Sequence, residues 1–576
     1  MSKATAPASA TYIRAKIVGE LTLQMPVSIG DGNVIRDQDQ KGEIATVVRD
    51  HRGWPVIPAS SLKGVLRSRL TKLNVDPRLI ESIFGRESLR SAGGAPSPDT
   101  GLGGRFEFRF ASVNSSDDEK PDPLFAEQSV AIDRVTRAAA DRQLFARQNV
   151  SPGTVFCIEI EGFQVTDEEV QCLLSAFDEF NHADNPICLG SGTANDRGRA
   201  TWQLKSVQTH TRETVGNWLD KSGDASKIWE LAKLVAPTST KLRAVDTESY
   251  LLKIGLRLHF DSWFLVRDPK ASKAKHSDGE GADEVDAFPL LDASGHVMLR
   301  SRGFRGVFRS QFEKIARTLV SDAGGDPNRP GSHVIVETLF GASGAATACR
   351  ITDFLDGRVS QQWNGTGDMP NALAAGTKTW LGKREFVAID RFTGGAADKF
   401  KFDCVAAWRP VLEGTLSIEL NQLRQRFDWW QEQQRSRNQT VRIGHGKRDQ
   451  NKDDDSANDS EQEPNSSFSV AAVLGLLFLT VRDLVDGDLT FGYGFGKGFG
   501  QCRGEVASVA PGNASSLCQL VGISNEKFHS ALDRERLRTP SPDMYASLSP
   551  EWRAMWQCCL AEARKWASEF ATQDKP

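Results

Sequence analysis

Five cations at two helix starts are the residues whose types and spacing best fit a chemical role. The segment PVIPASSLKGVLRSRL (55–70) aligns without gaps with VMLRSRGFRGVFRSQF (297–312). Cations on one helical face beside the positive N-terminus of a helix would hold phosphates, and so position a nucleic-acid backbone without reading its sequence. The alternative is an ordinary solvated basic face, but recurrence at matched positions favours phosphate binding. The candidate residues are Lys63, Arg67, Arg69, Arg305 and Arg309.

An Asp-Arg pair also occurs twice. VAIDRVTRAAADRQLF (130–145) matches VAIDRFTGGAADKFKF (387–402), and Val-Ala-Ile-Asp-Arg is identical in both. Such a pair at a strand end is typically an ion pair that fixes a loop. We therefore assign Arg134 and Arg391 to folding or to nucleic-acid positioning rather than to catalysis. The loops expected to follow are candidate projections that contact nucleic acid, residues 136–148 and 393–407.

Glycine-rich strings form the third recurring feature. LGSGTANDRGRA (189–200) matches FGYGFGKGFGQC (491–502). The second string would let a phosphate approach the backbone, Phe495 or Phe499 would stack on bases, and Lys497 is a candidate nucleic-acid contact. The string lacks the Gly-Lys-Ser/Thr ending of a P-loop and the spacing of a dinucleotide fingerprint. The alternative is a tight turn between a helix and the last strand.

Other functional classes find little support in the 576 residues. Nine cysteines form no C-x-x-C pair, and none of the nine histidines has the spacing of a metal triad, so zinc, disulfides and histidine catalysis are not favoured. The longest apolar run, 470–479, falls short of the ~20 residues of a membrane span and predicts a buried helix. With no signal-peptide pattern, the sequence predicts a cytoplasmic protein without a membrane partner. The net charge of −4 reflects the acidic segment 449–463 and does not exclude a polyanion.

The recurring features follow in the same order in both halves, which implies two copies of one domain. A Phe-Gly turn, at 82–85 and 338–341, is the fourth feature. In each copy, period-two stretches predict strands and apolar stripes predict helices, in the order strand, helix, strands, helix, strand of a ferredoxin-like unit. We therefore expect an α+β protein whose tail helix docks on its own domain. The predicted parts are a first domain at 11–210, a linker at 211–247, a second domain at 248–510 with an acidic disordered insertion at about 435–466, and a helical tail at 511–576.

Taken together, the I-P-x-S-S-L-K-G helix start, the Phe-Gly turn, the V-A-I-D-R-x-T segment and the glycine-rich string resemble the RAMP superfamily of CRISPR-associated proteins. Within it they are similar to the backbone subunits that line crRNA in type III effector complexes. Two such units on one chain resemble the fused double-backbone subunits of the type III-D branch. The resemblance implies tandem RRM-like cores that hold guide RNA, with inserted thumb loops that each displace one base. It also implies crRNA, target RNA and other type III effector subunits as partners.

The resemblance further implies a catalytic aspartate, since many of these subunits cut target RNA with an aspartate in the loop after the first strand and a divalent metal. VDAFPLLD (285–292) fits the family pattern and places Asp286 there, as a catalytic residue that either binds Mg²⁺ or Mn²⁺ or acts as the base. In the first copy, EIATVVRD (43–50) places Ile44 in register with Asp286. Cleavage by the first domain would need another acid of the same loop, namely Asp37, Asp39 or Glu43.

The predicted function is a crRNA-binding backbone subunit that cleaves target RNA as a metal-dependent endoribonuclease, chiefly in its second domain. Two alternatives stay open. One is a catalytically inert backbone protein whose partner subunits cut. The other is a guide-processing ribonuclease of the same superfamily, which is disfavoured because no histidine occupies a general-base position in the duplicated segments.

Overall fold

The computed structural model divides into two compact units, residues 1–247 and 248–576, here called the first and second unit. The fold is mixed α+β. The described residues are 11–36, 43–86, 101–113, 123–133, 139–183, 185–221, 224, 228–230, 232–234, 250–268, 285–328, 334–342, 346–362, 378–428, 469–512, 514–537 and 548–572.

The first unit combines a main sheet with a smaller one. Its strands are β1 (Thr11–Leu23), β2 (Gly30–Arg36), β3 (Glu43–Val47), β4 (Val56–Ile57), β5 (Gly85–Arg86), β6 (Leu102–Gly103), β7 (Phe106–Phe108), β8 (Ala111–Val113), β9 (Leu124–Ile132), β10 (Ala139–Val150), β11 (Val155–Thr166), β12 (Ala200–His210) and β13 (Lys233–Leu234). Its helices are α1 (Ala59–Lys72), α2 (Pro77–Phe84), α3 (Asp167–Asp178) and α4 (Arg212–Lys221).

The main sheet of the first unit has the order β13-β12-β1-β11-β8-β4, and β7 also pairs with β11. Strand β1 is antiparallel to both β11 and β12. Alternate β1 side chains such as Ile17 and Leu21 are fully buried, as a strand with one face on a core requires. Leu66 of α1 and Leu173 of α3 belong to the same core. The smaller sheet, β2-β3-β10-β9, contains the antiparallel hairpin β9–β10, with β3 parallel to β10.

The second unit repeats this plan in a larger form. Its strands are β14 (Leu251–Phe260), β15 (Trp263–Phe264), β16 (His296–Leu299), β17 (Cys349–Ile351), β18 (Phe354–Gln362), β19 (Lys378–Ile389), β20 (Ala396–Trp408), β21 (Val411–Glu419) and β22 (Cys502–Ala510). Its helices are α5 (Ser301–Asp322), α6 (Val334–Phe340), α7 (Val470–Asp486), α8 (Cys518–Val521), α9 (Asn525–Leu537) and α10 (Pro550–Thr572).

The sheet of the second unit has the order β15-β20-β19-β18-β21-β14-β22. Its first strand, β14, is antiparallel to β21 and β22, as β1 is to β11 and β12. Phe304 and Phe308 of α5 are fully buried in its core. The hairpin β19–β20 belongs to this sheet rather than to a separate one.

The C-terminal helices dock on the second unit, as the sequence predicts. Helix α7 is buried over most of its length, which confirms the buried helix expected for residues 470–479. The Phe478 and Trp556 rings stack at 5.2 Å between centroids. A Cβ on Gly475 would lie 2.3 Å from the carbonyl oxygen of Cys559, so α7 and α10 touch through backbone. Among the described residues, no helix is long and apolar enough to cross a membrane.

One local expectation is wrong. The projections expected as loops at 136–148 and 393–407 are largely the strands β10 and β20, because alternating sequences such as KFKFDCVAAW favour extended pairing. Within the segment 211–247, β13 pairs with β12 of the first unit. Trp229 of the same segment lies 5.1 Å from the Arg14 guanidinium. The predicted acidic insertion at about 435–466 lies outside the described residues.

Candidate functional site

The two VAIDR hairpins pair in the same register. The gap-free alignment that places Asp133 on Asp390 also places Ala146 on Asp403. Ala146 pairs with Gln128 in the first hairpin, and Asp403 pairs with Glu385 in the second. Equivalent positions can therefore be compared directly between the units.

Asp286 lies beside the second hairpin, on a segment that runs parallel to β20. Ala287 forms a parallel bridge with Cys404. The Asp286 amide donates to the Asp403 carbonyl at 3.0 Å, and the Asp403 amide donates to Asp286 Oδ2 at 2.9 Å. Arg267 Nη2 donates to the Asp286 carbonyl at 3.0 Å. The Asp286 side chain is exposed but held at a fixed position.

Asp403 and Glu385 pair across the hairpin and so share one of its faces, and Asp286 adjoins Asp403 through the two hydrogen bonds just described. Two lysines lie beside these acids. Lys383 Nζ lies 3.6 Å from Asp403 Oδ2, and Lys401 Nζ lies 3.2 Å from Glu385 Oε2. We call these residues the charged face: Asp286, Lys383, Glu385, Lys401 and Asp403.

The first unit has no counterpart of the charged face. Strand β3 runs parallel to β10 and pairs Ile44 with Ala146, the matched positions of Asp286 and Asp403. The register of Ile44 with Asp286 expected from sequence thus agrees with strand pairing, and Ile44 is only 8% exposed. The matched positions of the charged face are all uncharged, namely Ile44, Ala126, Gln128, Leu144 and Ala146.

The opposite face of the second hairpin is aromatic and contacts the glycine-rich string. Phe386 pairs with Phe402 across the strands. Lys497 Nζ lies 4.1 Å from the Phe386 ring centroid and 4.9 Å from that of Phe402, within cation–π range. Lys497 is exposed, as a nucleic-acid contact requires, but its ammonium group already has aromatic partners. Of the two expected stacking residues, Phe495 is 48% exposed whereas Phe499 is buried.

Glycines of both strings are required by close backbone packing. A Cβ on Gly198 would lie 1.9 Å from the carbonyl oxygen of Leu189, and one on Gly500 would lie 1.9 Å from that of Phe491. Both glycines have positive φ, at 79° and 75°. The strings are therefore tight turns, which lie between α3 and β12 in the first unit and between α7 and β22 in the second.

The helix start of the first unit presents two of its three cations. Lys63 and Arg67 are half-buried, and Lys63 Nζ lies 5.7 Å from the Phe108 ring centroid. Arg69 is buried, donates from Nε to Glu179 at 2.7 Å and from Nη2 to the Asn185 carbonyl at 3.0 Å. Arg69 therefore acts in folding, and we exclude it from the candidate phosphate contacts.

The helix start of the second unit does not present Arg305 to a phosphate. Its guanidinium donates to the carbonyls of Phe340 and Cys349 at 2.6 and 3.0 Å, and to Thr347 Oγ1 at 2.8 Å. Burial lowers the pKa of this group. Arg309, one turn further on, has its Nε shielded from solvent. The expectation that both helix starts form the same phosphate site is therefore not met at Arg305, which ties α5 to the Phe-Gly turn.

The tip of the second hairpin is exposed. Asp390 accepts hydrogen bonds from the amides of Phe392 and Thr393 at 2.7 and 2.9 Å, which lowers the pKa of its carboxyl. Arg391 is exposed, and Phe392 is 100% exposed. In the first unit, Arg134 lies outside the described residues.

The donor set fits a divalent ion only if RNA supplies ligands as well. Among the described residues, no group of three or more His, Cys, Asp or Glu side chains is placed to hold a metal. Mg²⁺ is often held by one or two carboxylates together with waters and substrate phosphate. Asp286 offers one exposed carboxylate, whereas the Asp403 carboxylate is largely covered and lies beside Lys383 and Lys401. Of the alternative acids, Asp37 and Asp39 lie outside the described residues, and Glu43 is exposed at the start of β3.

Sequence reasoning missed most of the charged face. Asp403 is 117 positions from Asp286, so spacing along the chain does not reveal the contact. A signal was present in the aligned hairpins, where Lys383, Glu385 and Asp403 stand opposite Ala126, Gln128 and Ala146. This cluster of charges occurs at the matched positions of only one unit.

A comparison with protein-family models matches most of the first unit. Residues 20–200 match the family model described as the RAMP superfamily. The matched residues include α1, α3, the hairpin β9–β10 and the first glycine-rich string, and they support RAMP membership for that unit. The second unit lies outside the match. No curated protein matches this sequence.

Proposed function

We propose that the chain is a backbone subunit of a type III CRISPR effector complex, which holds crRNA and its target RNA. The RAMP match supports a CRISPR-associated, RNA-binding role. The two units share one strand order, β12-β1-β11-β8 and β22-β14-β21-β18, and this likeness supports the proposal of two ferredoxin-like cores in tandem, as in the type III-D branch.

RNA contacts would come from the first helix start and from the hairpin tips. Lys63 and Arg67 lie one helical turn apart, so both can face one phosphate backbone. Phe392 at the tip of the second hairpin offers an exposed ring, and apolar side chains of this kind wedge between bases. We assign the hairpins to the role of thumbs, with Arg391 as a phosphate contact beside Phe392.

We further propose that the second unit cleaves target RNA and that Asp286 is its catalytic residue. The observation that carries this is the charged face beside the hairpin, which the first unit replaces with uncharged residues. RNA supplies its own nucleophile: the 2′-oxygen bonds to phosphorus, and the bond to the 5′-oxygen breaks. The 2′-hydroxyl proton passes to a base, and the 5′-oxygen takes a proton from solvent.

Two roles suit the Asp286 carboxylate. It would hold Mg²⁺ or Mn²⁺, with Asp403 adjacent, and the ion would supply positive charge at the phosphate. As the base, it would accept the 2′-hydroxyl proton itself. In both roles, the hydrogen bond from the Asp403 amide fixes the orientation of the carboxylate.

The test is cleavage of labelled complementary RNA by the assembled complex, with and without Mg²⁺. Asp286→Asn should slow one cut about 100-fold or more while RNA binding is retained. Asp322→Asn is the matched control, because Asp322 is exposed on the same unit outside the charged face. An unchanged cut in Asp286→Asn would exclude Asp286 from the mechanism and favour the inert backbone. Processing of a guide precursor instead of the target would favour the guide-processing ribonuclease.

A further inference from the structure

An arginine outside the hairpin contacts Asp286 directly. We propose that Arg267, three residues after β15, binds the scissile phosphate of the target RNA beside Asp286, from a position fixed by its hydrogen bond to the Asp286 carbonyl. This inference rests on the proposed nuclease function of the second unit.

The Arg267 guanidinium is available to a ligand. The residue is exposed, and its Nη2 donates to the Asp286 carbonyl at 3.0 Å. Within the part of the chain that the structure describes, this is the one hydrogen bond of its side chain, and the guanidinium has no ion-pair partner. A guanidinium has several N–H donors in a planar fork that matches phosphate oxygens. The remaining donors can therefore bind a phosphate.

The position of this guanidinium suits a phosphate that the Asp286 carboxylate also reaches. The carbonyl and the carboxylate of one aspartate are joined by a few bonds of about 1.2–1.5 Å each, so they lie no more than about 5 Å apart. Asp286 is itself held to Asp403 by hydrogen bonds of 3.0 and 2.9 Å, with one backbone amide donating in each direction. A phosphodiester beside the Asp286 carboxylate is therefore within reach of Arg267.

The first unit shows which residue stands at the matched position. Val47 and Pro289 are matched residues of the two units. Gly30 forms an antiparallel pair with Val47, and Arg267 forms an antiparallel bridge with Pro289. The two segments thus have the same register, and glycine occupies the position of the arginine.

The arginine and the acid occur together in one unit and are both absent from the other. The first unit has Gly30 and Ile44 where the second has Arg267 and Asp286. Because the first unit makes the same strand pairing with a glycine, the pairing does not need a guanidinium. A role in folding alone would therefore leave the arginine unexplained, whereas a role beside Asp286 accounts for both differences.

A cation at this position also balances charge during cleavage. The Asp286 carboxylate alone would repel a phosphodiester. The Arg267 guanidinium offsets that repulsion and would stabilise the negative charge that develops on the phosphate. Stabilisation of this kind acts mainly in the transition state, so loss of Arg267 should affect the rate of cleavage more than the binding of RNA.

The experiment is single-turnover cleavage of labelled target RNA by the assembled complex containing the full chain. Arg267→Met should slow the Asp286-dependent cut about 100-fold at saturating RNA, with target-RNA Kd changed less than about threefold. Arg267→Lys keeps the charge without the planar fork and should recover about tenfold of that loss. Arg564→Met is the matched control, since Arg564 is exposed on α10 of the same unit, and it should cleave at the wild-type rate.

A second readout separates phosphate binding from a role in holding the Asp286 backbone. Target RNA is made with one phosphorothioate at the cleaved linkage, and both diastereomers are compared. For the non-bridging oxygen that Arg267 contacts, sulfur should slow the wild type several-fold and Arg267→Met hardly at all, because the variant already lacks the contact. Equal effects of sulfur in the two proteins, for both diastereomers, would overturn the proposal.

The outcomes also distinguish this inference from the proposed function. A wild-type rate in Arg267→Met, with Asp286→Asn inactive, would overturn the arginine assignment and leave the nuclease intact. A wild-type complex without any Asp286-dependent cut would overturn the nuclease and the arginine assignment together.

Discussion

Replacement of Arg305 by Met should destabilise the second unit rather than weaken RNA binding. The guanidinium donates hydrogen bonds to Phe340, Thr347 and Cys349 and lies 5.4 Å from the Phe340 ring centroid. Each acceptor that loses its donor costs about 1–3 kcal/mol. Part of this loss is offset, because a buried cation is itself costly to desolvate. We expect a net loss of about 2–4 kcal/mol.

The assay is thermal unfolding of the full chain, in which about 2 °C per kcal/mol gives a decrease of roughly 4–8 °C in the Tm of the second unit. Lys63→Met is the matched control at the equivalent position of the first unit, where loss of a cation–π contact costs about 0.5–1 kcal/mol. A Tm within 1 °C of wild type, combined with weaker guide binding in Arg305→Met, would refute this reasoning. That result would restore Arg305 as a phosphate contact.

Three other predictions concern RNA, the tail and the hairpin tip. Lys63→Glu with Arg67→Glu should weaken guide retention and reduce the slope of log affinity against log salt concentration by about 1–2, because two phosphate contacts are lost. The slope is measured by titration at several salt concentrations, and an unchanged slope would show that neither residue contacts RNA. Gly475→Ala should loosen the tail, because its Cβ would lie 2.3 Å from the Cys559 carbonyl oxygen, and limited proteolysis should then release α10 faster than in wild type. The amides of Thr393 and Phe392 donate to Asp390 and lower the pKa of its carboxyl. The ionised carboxylate therefore stabilises the turn above about pH 4, and this stabilisation is lost as the pH falls through the pKa of the folded state. Amide NMR shifts of the tip should therefore stay constant from about pH 8 to 4 and change below that range.

The repeat is the part of the structure that the sequence predicts best. The alignment of 130–145 with 387–402 anticipates that the two segments share a structure, although the loops expected there are strands that pair in the same register. The glycine-rich strings also agree at single positions, since a Cβ added to either Gly198 or Gly500 would lie 1.9 Å from a carbonyl oxygen of the same string. Both features depend on local backbone geometry, which sequence order encodes directly.

Side-chain roles were less predictable, because they depend on residues distant in sequence. Arg69 looks like a surface cation beside Arg67, yet Glu179, 110 positions away, pairs with it in the interior. Arg305 aligns with Lys63, but only the second unit brings three acceptors to that position. A cation at a helix start is thus compatible with phosphate binding or with folding, and only the tertiary contacts decide between them.

The most direct test of the central claim is to map every cut that the assembled complex makes in a long target RNA. If only the second unit is a nuclease, each copy of the chain makes one cut, and Asp286→Asn abolishes all cuts due to this chain. Two cuts per chain, one of which survives in Asp286→Asn, would contradict the account, because the first unit would then cleave RNA without the charged face.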